Sequence, residues 1–274
     1  MRYFPDSAAV RTMTTAQLRD RFLFTGLFKP GRISLEITDL DRLVVGGAVP
    51  LDKPLTLDAH AELRAEYFTE RREIGVLNIG GAGEITVEGK SYALEKRDVL
   101  YVGRGCRDIR LSSKSAADPA KFYIVSYPAH VSHPTELVKA SGAIGDEIGS
   151  TENANRRRIA KYVHAQGTKS GQLVMGVTQL SPGSVWNTMP AHTHGRRTEI
   201  YLYFDLPAEA MVVHLMGEPT ETRSIIVRDG EAVLSPGWSI HAGCGTSAYS
   251  FCWAMGGENQ DYADMDPVKI SELR

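Results

Sequence analysis

Short apolar and β-branched runs, each cut off by glycine or proline, recur along this chain and constrain it to sheet. In the first half they are Val76-Leu77-Asn78-Ile79, Gly83 to Val87, Ser91 to Leu94 and Val99 to Val102, preceded by Arg32 to Thr38 and a Leu43-Val44-Val45 run that Gly46-Gly47 is expected to break. In the second half they are Ile159 to His164, Gln172 to Leu180, Ser184 to Met189, Glu199 to Phe204, Ala210 to Met216, Thr222 to Val227, Glu231 to Leu234, Trp238 to His241 and Tyr249 to Ala254. Such spacing predicts an antiparallel sandwich or barrel rather than βαβ units, and the second set fits a jelly roll. Helix is expected only at Thr14 to Phe22, where Thr14 and Gln17 form a capping-box pair, and at Thr135 to Ala140, with Pro134 at a first helical position. Residues 127–158 read as a connector, dividing the chain into 1–150 and 151–274.

The 274 residues suffice for one large or two ordinary domains, and 42% apolar and 23% charged residues are those of a soluble globular chain. A net charge of −2 gives no electrostatic case for nucleic acid or anionic membrane as a partner. No apolar run is long enough to span a bilayer, and MRYFPDSAAVRTMTT has no continuous apolar stretch like that of a secretory signal. Cys106, Cys244 and Cys252 form no C-x-x-C and read as reduced thiols, so a cytoplasmic protein is expected.

One stretch carries chemistry. His192-Thr193-His194 places two imidazoles on the same face of an extended backbone, and Glu199 opens the next strand after a Gly195-Arg196-Arg197 turn. His241 follows Asp229-Gly230 and Ser235-Pro236-Gly237. An H-x-H alone would serve equally well as a surface pair. With Glu199 and His241 it predicts a divalent-metal site, since nitrogen donors suit zinc, iron, copper or nickel and one carboxylate does not make a calcium or magnesium site. If Glu199 points inward, alternation turns Tyr201 and Tyr203 inward with it, and Ser239 follows His241 in the same way. His130 and His133, beside prolines and with no carboxylate nearby, read as loop residues. The tail Glu258 to Arg274 is polar and acidic and is expected to cover the surface or a neighbour.

These residues resemble the two motifs of the cupin superfamily: Gly183, His192, His194 and Glu199 in the first, Gly230, Pro236, Gly237 and His241 in the second. The match departs in its longer glycine-to-histidine spacing, in the adjacency of Pro236 and Gly237, and in lacking an asparagine after the last histidine. Longer strings, QLVMGVTQLSPGSVWNTMPAHTH, YLYFDLP, HLMGEPTETR, SPGWSIHAGCGTS and GENQDYADMDPV, are similar to the 5-keto-4-deoxyuronate isomerases, the 4-deoxy-L-threo-5-hexosulose-uronate ketol-isomerases. The likeness runs over nearly the whole chain, including LDRLVVGGAVP. It implies an all-β fold of two cupin-like halves with a few short helices. No histidine lies in Asp98 to Gly103, where a second motif would fall in the first half, so only the second half is expected to hold metal.

The resemblance further implies an aldose–ketose isomerase of pectin and uronate degradation, a homo-oligomer and in this family a hexamer. One divalent ion per chain is expected, zinc foremost, held by His192, His194, Glu199 and His241 at a site that expands to admit substrate. The proton shuttle is left open among Glu199, Tyr201, Gln179 and a metal-bound hydroxide. A carboxylate substrate calls for a guanidinium or ammonium clamp, for which Arg196, Arg197, Arg223 and Lys161 are the candidates. Two other classes use the same motif: an iron dioxygenase, which would consume oxygen, and a non-catalytic sugar-binding cupin, which is usually joined to a DNA-binding domain.

Overall fold

The computed structural model describes all residues 1–274, and the chain is all-β with two short α-helices. No helix is long and apolar enough to cross a membrane. Its chain separates into two compact units that are not simple halves. The first comprises residues 1–2, 26–144 and 162–175; the second comprises 3–25, 145–161 and 176–274. A boundary near 150 therefore has to be redrawn, because the N-terminal segment belongs with the C-terminal residues.

In the first unit a six-stranded antiparallel sheet has the central strands Arg72–Asn78 and Phe122–Pro128, paired from Phe122 against Asn78 to Pro128 against Arg72. A four-stranded sheet, including Gly83–Val87, Lys90–Leu94 and Ile109–Ser113, supplies the opposite side of the core. Ile74, Val76, Leu100 and Phe122 from one sheet meet Ile85, Val87 and Leu111 from the other. Each such side chain contributes roughly 1.5–3 kcal/mol by leaving water.

Two local expectations fail here for identifiable reasons. Gly46 and Gly47 do not break their strand, which runs Val44–Ala48. A Cβ on Gly46 would collide with the Ser34 carbonyl oxygen, and one on Gly47 would lie 2.6 Å from that of Leu27. The glycines let neighbouring backbone approach closely and do not punctuate. Thr135 to Ala140 is not a helix: Glu136–Val138 adds an edge strand to Val99–Val102. Pro134, with no N–H to donate, precedes an edge strand as readily as it opens a helix. Asp98 takes hydrogen bonds from the N–H groups of Glu95 and Ala140 and an ion pair from Lys139, so its buried carboxylate has a structural role.

The second unit has a seven-stranded sheet built on Arg197–Phe204, flanked by Ser250–Gly257 and Glu231–Ser235. A four-stranded sheet contains Val212–Glu218 and Ala242–Gly245, and a two-stranded one pairs His192–Thr193 with Asp266–Pro267. The helix Thr15–Phe22 forms as predicted, with the Thr14–Gln17 capping box in place. It leads into Leu23–Phe24, which pairs with Val233 and Ala232. Ser184 to Met189 shrinks to Trp186–Asn187, and Trp238 to Ile240 is turn and loop, so His241 stands just before a strand and not within one.

Candidate metal centre

Three strand ends and one turn bring His192, His194, Glu199 and His241 together, and their ligating atoms all lie within 4.8 Å of one another. Glu199 is on the central strand, held in register opposite Ser235 and Met255. His241 is fixed through its turn: Ser239 Oγ accepts from Gly217 N at 2.9 Å, and Ile240 N donates to the Gly217 carbonyl at 2.9 Å. Gly237 passes so close to the histidine pair that a Cβ there would lie 2.8 Å from the His194 carbonyl oxygen.

The chemistry of the donors tests whether a cation belongs here. His194 Nδ1 donates to the Asp264 carbonyl at 3.0 Å, and His241 Nδ1 points at the Ser239 carbonyl at 3.4 Å. That tautomer leaves both Nε2 lone pairs facing the Glu199 carboxylate, at 2.8 and 2.9 Å. His192 Nε2 lies 3.1 Å from His194 Nε2 and 3.0 Å from His241 Nε2. Lone pairs converging on one another and on an anion repel unless a cation lies among them. The separations are near the roughly 3.3 Å edge of a tetrahedral shell with ~2.0 Å bonds. The residues fit a divalent metal. A backbone carbonyl holding the far nitrogen of a ligating histidine is the usual way to fix its tautomer.

The neighbouring charges act differently on each member of the cluster. Burial pushes His192 down to about 3, keeping its imidazole neutral. Burial opposes ionisation of Glu199, but the neighbouring His241 and His194 outweigh it and hold the carboxyl below its usual range. For His194, burial is outweighed by the hydrogen bond and charge of Glu199, which raise it.

The cluster opens on a cavity of about 220 Å³, whose walls include Tyr201, Trp253, Tyr262, Thr188 and Arg157. Tyr201 is fully buried, with its hydroxyl 2.9 Å from Thr188 Oγ1. Burial first, and then the Glu199 charge, push its phenol well above the ordinary value, so it stays protonated. Thr188 has φ of 49°, an unfavourable conformation for a β-branched residue and one that clusters at functional sites.

With that geometry established, comparison with known proteins places the chain. The model of the family described as KduI/IolB matches residues 31–269. A 4-deoxy-L-threo-5-hexosulose-uronate ketol-isomerase of Lachnoclostridium phytofermentans is 55% identical over 265 residues, covering 97% of this chain and 96% of its own. The chain belongs to the KduI/IolB family. An Opitutus terrae protein with the same name is 53% identical, covering 100% of this chain and 99% of its own. Among solved structures, an IolB-like protein from Salmonella typhimurium superposes with a TM-score of 0.75 at 12% identity, over 90% of this chain and 96% of that one. An oxalate decarboxylase variant from Bacillus subtilis gives 0.52 at 12% identity, over 80% and 70%. Those likenesses speak to fold alone.

For this KduI/IolB chain, the four ligand candidates converge, whereas the clamp candidates do not line the cavity. Arg196 is a partly exposed tie, pairing with Asp264 at 2.5 Å and Asp266 at 3.1 Å. Arg197 is buried and donates to the Asp264 carbonyl at 2.8 Å. Arg223 donates to the carbonyls of Val10, Arg11 and Met13, serving the N-terminal segment. Lys161 lies 4.3 Å from the ring centroid of Tyr262, behind a wall residue. Gln179 is also outside the lining; Thr178 is within it, and side chains one apart on a strand face opposite ways. The tail does more than cover surface. Tyr262 and Met265 line the cavity, and Asp264 holds His194, Arg196 and Arg197. Nothing local in GENQDYADMDPV marks it as part of a site, because its role comes from pairing with His192–Thr193 across the chain. Tyr203 faces inward as expected, but its hydroxyl lies 2.8 Å from Nδ1 of the buried His214, a partner the sequence did not disclose.

Proposed function

We propose that this chain converts 4-deoxy-L-threo-5-hexosulose uronate to 3-deoxy-D-glycero-2,5-hexodiulosonate, an aldose–ketose interconversion of uronate degradation. The observation that carries this reading is the cluster of three imidazoles and one carboxylate opening on a cavity of about 220 Å³, in a chain matching the named ketol-isomerases end to end. In the reaction the C2 proton is removed and one is delivered to C1, while the O2 hydroxyl proton passes to O1. When bound, a divalent ion supplies Lewis-acid stabilisation to the oxygens that gain charge. The protein's own share is positional. Glu199 stays ionised and committed to its histidines, and Tyr201, which keeps its proton, donates a hydrogen bond to a substrate oxygen through the pair it forms with Thr188. Arg197 and the Asp264 carbonyl hold His194 in its ligating tautomer.

The same reading includes zinc as the ion, one per chain, and a cytoplasmic homo-oligomer without nucleic-acid or membrane partners. It also includes jelly-roll halves of which only the second binds metal. The test is turnover of the uronate in deuterated water with metal analysis. One metal per chain, solvent deuterium in the product and undiminished anaerobic activity are expected. Full activity after chelation would defeat the proposal, and oxygen consumption would favour a dioxygenase.

A further inference from the structure

The cavity wall contains one cationic side chain outside the histidine cluster, Arg157. It opens the strand Arg157–Val163, and its single hydrogen bond runs from Nη1 to the Asn155 carbonyl at 2.7 Å. It has no ion pair. The one carboxylate in the wall, Glu199, is occupied by His194 and His241 at 2.8 and 2.9 Å. Burial lowers the Arg157 pKa, and the titratable groups set around it are the phenols of Tyr201, Tyr262 and Tyr249, which carry no charge while protonated. A half-buried guanidinium with no counter-charge is better solvated when an anion lies beside it. The fork of Nε and Nη2, which makes no protein hydrogen bond, has the shape that takes a carboxylate through two parallel bonds.

We infer that Arg157 anchors the substrate's carboxylate and thereby sets which end of the molecule reaches the histidine cluster. This rests on the isomerase reading, in which the carboxylate is C6 and the reacting carbons are C1 and C2. Those groups stand at opposite ends of a six-carbon chain, so one cation and one metal cluster in a single cavity permit one productive orientation. Ile148, Ile159 and Phe251 make the wall partly apolar, which suits a C4 methylene that has no hydroxyl to satisfy. Arg196 is ion-paired with Asp264, Arg223 serves N-terminal carbonyls, and the buried Arg197, though two of its guanidinium nitrogens have no partner, does not line the cavity any more than the other two do.

The experiment compares wild type with Arg157→Gln and Arg157→Lys, each first checked for native circular dichroism and wild-type metal content. On the uronate, Arg157→Gln should lower kcat/KM on the order of 100-fold, mostly through KM, with Arg157→Lys recovering part of it. On the C6 carboxamide, wild type should fall to the level of the Gln variant, and the substitution should cost nothing further. An equal loss on acid and amide, or no loss on the acid, overturns the anchor. If Arg157→Gln does not fold, the acid-to-amide ratio of Arg157→Lys answers the same question. A binding arm separates the two ideas: galacturonate and its methyl ester are titrated calorimetrically into both proteins. Wild type inactive on the uronate, yet preferring galacturonate to its ester only while Arg157 is present, would sink the isomerase reading and keep the anchor. An active wild type whose variant discriminates acid from ester just as well would do the reverse.

Discussion

Tyr201 and His214 show how burial fixes the protonation of side chains behind the metal cluster. Tyr201 keeps its proton because ionising a phenol beside Glu199, out of water, is unfavourable. Replacing it with Phe should leave metal content intact and reduce kcat by roughly 10²–10⁴-fold, as loss of a positioned proton donor does; an unchanged kcat would remove Tyr201 from the chemistry. His214 is fully buried and pushed by burial to about 3, so it folds as the neutral imidazole. The unfolded chain therefore takes up a proton that the folded one refuses. The stability neutral His214 contributes is complete above the ordinary histidine pKa and falls by about 1.4 kcal/mol per pH unit as pH drops toward 3. In His214→Asn the stability-versus-pH slope between about pH 4 and 6 should be shallower by one proton. Urea unfolding of both proteins measures it.

At the level of elements, the site depends on segments that are neither helix nor regular strand. The turn at Pro236–Ile240 and the pair His192–Thr193 with Asp266–Pro267 set three of the four ligands. Gly237→Ala would force the His194 backbone aside, since the new Cβ would lie 2.8 Å from its carbonyl oxygen. A misplacement of that kind costs on the order of 10²-fold in activity, and kcat with metal retention during chelator challenge would register it. That His192, His194, Glu199 and His241 converge was legible in the sequence because H-x-H, Glu199 and His241 advertise themselves by residue type. Most strands were legible too, since glycine and proline bracket them. What could not be read were features created by pairing across the chain: Glu136–Val138 adopting an edge, Asp264 reaching His194, and Arg157 facing the cavity. Arg196 and Arg197 drew attention by their proximity to His194 and Glu199 in sequence, and Arg223 by following GEPTET, but their acceptors, Asp264 and the N-terminal carbonyls, lie far away along the chain.

Over the whole molecule, the second unit is assembled from both ends of the polypeptide. Phe22 and Phe24 are fully buried there, Leu23–Phe24 pairs with Val233 and Ala232, and Arg11 pairs with Glu218 at 2.6 Å. Phe24→Ala should cost roughly 3–5 kcal/mol, and hydrogen exchange should show the loss of protection in Glu231–Ser235. Unchanged protection in that strand would mean that the N-terminal segment is only loosely attached. On a ribosome, the opening residues emerge long before the strand that will receive them. The helix ending in Phe22 and the strand carrying Phe24 must stay unclaimed while most of the chain is made. Closing so long a loop is slow, so the nascent protein is a natural client for chaperones that shield apolar segments, and the metal pocket is among the last features to take shape.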